Sequence, residues 1–312
     1  MKGVDVRKLS LAVVGVSLGV LSLAMSLTAE EPRSAQGMET KPAAAGAKGP
    51  GAFGLNAPDK RIAYKRVGEK SLYLYLFGTQ GPELAGGRPA IVFFHGGAFK
   101  YGGAGQFFWQ SKYLAGRGMV AINVEYRLLP KEGGKVADCV TDAKSAIRYV
   151  RAHAEELGVD PKRIAASGGS AGGDLALAAA IVPGLDEKGE DTAVSCKPNL
   201  LVLFNPPLFD PDGQNTLTIE QFSKETPPTQ FFYGVGDKAV LKYAKQCLEA
   251  SRKLGNHVEL YTAEGQGHGF FGNPPWREAT LRLADEFLAK YGYTKGEPTM
   301  EVPGDVKLNE VK

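Results

Sequence analysis

The chain has 312 residues, of which 43% are hydrophobic and 23% charged, and its formal net charge is +3. That length and apolar content suffice for one sizeable core, and the near-neutral balance argues against a nucleic-acid partner. No Cys-x-x-Cys pair and no His-Glu-x-x-His run is present, so neither a metal nor a cofactor is expected.

The N-terminus places Lys2, Arg7 and Lys8 before an apolar stretch over 9–27, then Thr28-Ala29 and Glu30-Glu31-Pro32. Charge, apolar core and small residues in that order predict a secretory signal over 1–29 and a secreted or periplasmic protein. The stretch is also long enough for an uncleaved anchor, the one case in which a membrane becomes a partner. No cysteine lies there to take a lipid, and no twin arginine marks a folded-export route. Residues 30–58, rich in Ala, Gly, Pro and Lys, read as a flexible linker.

A catalytic domain is expected over 59–293. It opens with a hairpin, 60–67 and 71–77, split by Gly68-Glu69-Lys70. Apolar runs at 89–94 and 119–124 read as strands buried on both faces. Helical spacing over 136–157 predicts a helix ending at Gly158. Then follow a strand at 163–167, an alanine-rich helix over 171–181, and strands at 200–204 and 230–233. A helix over 239–254, a strand at 257–261 and a helix over 277–291 complete the domain. Strands alternating with helices predict an α/β fold, a mostly parallel central sheet with helices on both faces. The polar tail, 294–312, is expected to be loosely held. Of the cysteines, Cys139 and Cys247 fall on predicted helices; with Cys196 they number three, and no bridge is assigned.

Four motifs carry chemistry. His95-Gly96-Gly97-Ala98 follows the strand at 89–94, Gly168-Gly169-Ser170-Ala171-Gly172-Gly173 joins a strand to a helix, Gly236-Asp237 follows a strand, and Gly267-His268-Gly269-Phe270 follows the last strand. A serine hydroxyl becomes nucleophilic when an imidazole takes its proton and a carboxylate orients that imidazole. Gly-x-Ser-x-Gly alone arises readily by chance in a glycine-rich chain; here the strand, turn and helix it requires flank it. Two glycines after a buried strand let backbone N–H groups turn towards a developing oxyanion. All four motifs fall at the carboxyl ends of predicted strands, where open α/β sheets place their ligands.

With these motifs the chain resembles the α/β-hydrolases of the hormone-sensitive-lipase-like and acetyl-esterase (carbohydrate esterase) group, over residues 60–291. The resemblance implies Ser170 as nucleophile, Asp237 as orienting acid, His268 as base, and Gly96, Gly97 and Ala171 as oxyanion-hole residues. His95 belongs to the motif without a catalytic role. Many lipase-like members carry Asp immediately before the nucleophile, and this chain has Gly169, which favours the carbohydrate and small-acyl branch. The implied activity is that of a secreted serine esterase acting on acetyl or aromatic acyl esters, small molecules or polysaccharides. Two other readings stay open: a prolyl-oligopeptidase-type serine peptidase, although the chain has no room for a propeller domain, and an inactive binding protein on the same scaffold.

Competing readings exist for single residues. Asp237 also suits the N-cap of the helix at 239–254, and Asp210 and Asp212 are rival acids read as turn residues. His153 reads as a surface helix residue, and His257 opens a strand. The aromatic cluster Phe99, Tyr101, Phe107, Phe108 and Trp109 either packs beneath the oxyanion loop or lines a substrate cleft, with Phe99 and Trp109 as the cleft candidates.

Overall fold

The computed structural model describes residues 57–80, 84–129, 134–208, 217 and 219–312. The expected signal and almost all of the expected linker lie outside the described residues, as do Asp210 and Asp212.

The apolar runs become strands β1 (Lys60–Val67), β2 (Lys70–Phe77), β3 (Arg88–Phe94), β4 (Val120–Val124), β5 (Val159–Gly169), β6 (Leu200–Phe204), β7 (Thr229–Gly234) and β8 (Val258–Ala263). With β9 (Leu308–Glu310) they form one sheet in the order β1-β2-β4-β3-β5-β6-β7-β8-β9. β3 to β8 run parallel; β1 pairs antiparallel with β2, β2 with β4, and β9 with β8. Every residue of β3, β4, β6 and β7 is buried, which is why these strands read as unbroken apolar runs instead of alternating ones.

Helices α2 (Val136–Ala152), α3 (Ala171–Ile181) and α4 (Lys238–Lys253) contribute to one apolar cluster, while α1 (Phe108–Gly116) and α5 (Trp276–Lys290) contribute to a second. The expected parallel sheet covered on both faces is therefore the one found. α3 is buried along nearly its whole length, and its alanines let it lie close to β5. The buried ammonium of Lys144 donates to the carbonyls of Val182 (2.7 Å) and Gly184, placing a cation at the C-terminal end of α3, where the helix dipole favours one.

Two expectations need correction. α2 stops at Ala152, short of Gly158: the His153 ring stacks on Tyr149 with centroids 4.1 Å apart, and turns through 153–158 return the chain to β5. The tail is not loosely held. Thr294 is buried and its hydroxyl donates to Asp285 (2.7 Å), Tyr113 Oη accepts the Thr299 and Met300 N–H groups, and β9 adds a strand to β8. Polar bonds and scattered apolar contacts of Met300, Leu308 and Val311 hold this segment, so no hydrophobic period announces it.

Candidate active site

β5 runs into α3 through a single tight turn. Its apex, Ser170, has φ 52° and ψ −126°, a backbone state disfavoured for any residue with a side chain. The turn is tight because β5 and α3 crowd against β3: a Cβ on Gly172 would land on the Phe94 carbonyl. The Ser170 N–H donates to Phe204 O (2.8 Å), anchoring the apex to β6.

Asp237 and His268 converge on that apex from β7 and β8. His268 Nε2 lies 2.8 Å from Ser170 Oγ, and His268 Nδ1 lies 2.5 Å from Asp237 Oδ2. Asp237 does occupy the N-cap of α4, but its carboxylate makes no cap hydrogen bond and is committed to His268. Asn205, fully buried at the end of β6 with φ 48°, brings its Nδ2 to 3.5 Å from the same Asp237 oxygen. The imidazole of His268 is 43% exposed, and the Asp237 side chain 15%. The other histidines are engaged elsewhere: His153 with Tyr149, and His257 with Glu259 (2.9 Å) and Lys290.

The loop after β3 brings Gly96 beside the elbow, where a Cβ on it would meet Gly169 O and Ser170 Cβ, and Gly97 follows it against Tyr101. Ala171 opens α3, so its N–H is among the orphan donors of the helix start. The Gly96 N–H, however, donates to Gln106 Oε1 (2.6 Å), so in this state that amide is occupied. His95 is buried beneath the loop, stacked on Tyr126 with centroids 4.3 Å apart, and its Nδ1 lies 2.8 Å from the Gly96 carbonyl. Burial lowers its pKa to about 4, against the opposing pull of the Gly96 carbonyl, so the ring is neutral and Nδ1–H donates. Tyr126 Oη in turn donates to the His95 carbonyl (2.7 Å). In the first turn of α3, Asp174 is buried; burial pushes its carboxyl up to about 8, opposed by the Leu208 N–H it accepts at 3.0 Å.

The aromatic cluster divides. Phe107 stacks on Phe93 (4.9 Å) and Phe108 packs on Phe77 (5.0 Å), so both belong to the core. Phe99 is half-buried against the first apolar cluster, and Trp109 is half-buried with the Arg277 guanidinium 3.8 Å over its ring. Tyr101 is the open ring, 69% exposed. A cavity of about 730 Å³ opens at the opposite edge of the sheet between Lys60, Arg88 and Glu156, but no serine or histidine lines it.

Reading the sequence missed Gln106, Asn205 and Phe271, the last of which packs against the elbow. Each acts through a contact between segments that no local spacing rule connects.

Residues 80–203 match the BD-FAE family. The propionate-bound structure of esterase 2 from Thermogutta terrifontis superposes with a TM-score of 0.72 at 40% identity, covering 76% of this chain and 96% of that one. This chain belongs to the esterase group of the α/β-hydrolases. The butyrate-bound structure of the same Thermogutta terrifontis esterase aligns at 39% identity with a TM-score of 0.70, over 76% of this chain and 96% of that one. LipM, a probable carboxylic ester hydrolase of Mycobacterium tuberculosis, is 34% identical over 155 residues, 47% of this chain. That match spans only 35% of LipM, so this α/β-hydrolase chain corresponds to about a third of its curated relative's length.

Proposed function

We propose that the protein hydrolyses short-chain carboxylic esters through Ser170, His268 and Asp237. The observation that carries the reading is the unbroken line of polar contacts from Asp237 Oδ2 to His268 Nδ1 (2.5 Å) and from His268 Nε2 to Ser170 Oγ (2.8 Å). As Ser170 Oγ bonds to the ester carbonyl carbon, its proton passes to His268 Nε2, and Asp237 stabilises the imidazolium through Nδ1–H. The carbonyl electrons move onto oxygen, where the Gly97 and Ala171 N–H groups receive them; one such donor is worth about 3 kcal/mol of transition-state stabilisation. Collapse breaks the bond to the alkoxy oxygen, which takes the proton from His268, and water repeats the sequence to free the acid.

A short acyl group is supported by the propionate and butyrate bound to the Thermogutta terrifontis esterase. Acetyl or aromatic acyl groups on polysaccharides form a second reading, favoured by the exposed His268 imidazole and the exposed Tyr101 ring, which leave room for a bulky alcohol. The order of charge, apolar run and small residues over 1–29 supports an exported site of action.

The test is hydrolysis of an acetyl, a butyryl and a long-chain ester, and acetate release from acetylated xylan, with Ser170→Ala alongside. The short esters are expected to turn over and Ser170→Ala to lose at least about 10⁴-fold in kcat. Equal turnover by the variant would overturn the serine mechanism. Acetate release from xylan that vanishes in the variant supports the polymer reading; butyrate release without it restricts the enzyme to small esters.

A further inference from the structure

Gly169 departs from the Asp that many lipase-like relatives carry before the nucleophile, and the structure supplies a steric reason. A Cβ at Gly169 would land on Phe271 Cζ, and would lie 2.9 Å from Phe271 Cε2 and 3.3 Å from Phe107 Cζ. The slot beside the nucleophile that a side chain would fill from the elbow is filled instead from across the site, by a ring three residues beyond His268.

We propose that Phe271 is a positioning residue for His268, and that Gly169 is its obligatory complement. This rests on Ser170 and His268 being the nucleophile and base. Phe271 is 4% exposed, and its ring stacks on Phe204 (centroids 5.0 Å, planes 28° apart) and on Phe107 (6.0 Å, 4°). Phe204 closes β6 and accepts the Ser170 N–H, while Phe107 immediately follows Gln106, which holds the Gly96 N–H. One ring therefore touches the elbow, the strand that anchors it and the segment that carries the oxyanion loop.

The base loop depends on that ring. Before His268, the loop is tied by the Gly236 N–H donating to Gln266 O (2.7 Å); after it, the chain makes one 3-10 turn, Phe270–Gly272, whose buried side chains are Phe270 and Phe271. The half-exposed His268 ring has its two polar contacts to hold it, so its place over Ser170 is fixed largely by where Phe271 seats. Displacement of a catalytic group by about 1 Å costs about 100-fold. An added methyl at residue 169 must displace Phe271 by about that much, because the ring atom it meets is walled in by Phe107 and Phe204.

The experiment is a double-variant cycle on the full chain with a short acyl ester: wild type, Gly169→Ala, Phe271→Leu and both together, measuring kcat and KM separately, with a thermal melt of each. Gly169→Ala is expected to lose about 100-fold in kcat with KM within about threefold, and Phe271→Leu about tenfold. The double variant should regain at least about tenfold over Gly169→Ala, because the leucine vacates the space the methyl needs. Should Gly169→Ala not fold, Phe271→Leu stands alone: a kcat loss with KM and acyl preference unchanged supports the proposal. Wild-type kcat in Phe271→Leu despite a lowered melting temperature would overturn it, as would additive effects in the cycle. Labelling of Ser170 by a fluorophosphonate, absent in Ser170→Ala, keeps the two readings apart: labelled variants that turn over normally sink the positioning role alone, whereas no labelling of the wild type sinks the serine mechanism beneath it.

Discussion

The two edges of the parallel sheet solve the same problem with different residues. At the amino edge, where the chain turns into β3, β4 and β5, positive φ falls on Gly87, Gly118 and Gly158, which adopt it without a Cβ penalty. At the carboxyl edge it falls also on Ala98, Phe99, Ser170, Asn205 and Leu208, five of the six described non-glycine residues with positive φ. A side-chain-bearing residue held in such a sparsely populated state costs of order 1–3 kcal/mol. The strain gathers at the edge where Ser170 and Asn205 meet His268 and Asp237, and the glycine-built amino edge carries no such demand. The edge that holds the candidate site is thus the less relaxed of the two, as expected of a site that the rest of the fold over-determines.

Swapping residues between the two solutions tests the contrast. The largest effect is expected from Ser170→Gly, which removes the proposed nucleophile and relieves its backbone: kcat should drop at least about 10⁴-fold while the melting temperature rises by about 2–4 °C. A melting temperature that falls would break the strain argument. Gly87→Ala is the converse, since its Cβ would land on the carbonyl carbon of Val159 at φ 80°. A loss of about 3 kcal/mol of stability, read in a denaturant melt, with kcat unchanged in the folded fraction, is expected.

The smallest effect concerns pH and sharpens the contrast, because two buried titratable groups sit at the carboxyl edge. Asp174 is raised to about 8, so the folded protein keeps a proton the unfolded chain releases; its stabilising contribution is present below pH 3.8 and is lost as pH rises to about 8. His95 is lowered to about 4, so its contribution is present above pH 6.5 and is lost as pH falls towards 4. Thermal melts at pH 5, 7 and 9 should show Asp174→Asn gaining on the wild type as pH rises. A constant difference would mean that Asp174 is not held neutral.

The central strands were legible because they are buried on both faces and punctuated by glycine, and α3 was legible to its ends because the elbow starts it and its alanine run closes just before Val182. The neighbours of the site were not legible in the same way. Gln106 reaches the Gly96 amide from ten residues away through a side chain, and an exposed glutamine in a short 3-10 turn carries no sequence signal for that. Gly169 could be noticed as a departure, but its partner Phe271 lies in another segment, and Phe270 beside it has the same composition signal. The end of α2 and the bound tail escaped for a related reason: ring stacking on Tyr149 decides one, and polar bonds to Asp285 and Tyr113 the other. Periodicity reports which face is buried, and it is silent on which polar group finds which.

The outermost strands bear on self-association. β1 presents Lys60, Arg61 and Arg66 along a strand whose register slips between Ala63 and Lys65, and at the far side β9 ends the sheet after three residues, Leu308, Asn309 and Glu310. Charge and irregularity guard one margin and brevity the other, so neither offers the long flat row of free amides on which a second molecule could template fibril growth. Removing the last strand would uncover Tyr261, Thr262 and Ala263 of β8, and leave an unpaired strand edge as a template for aggregation.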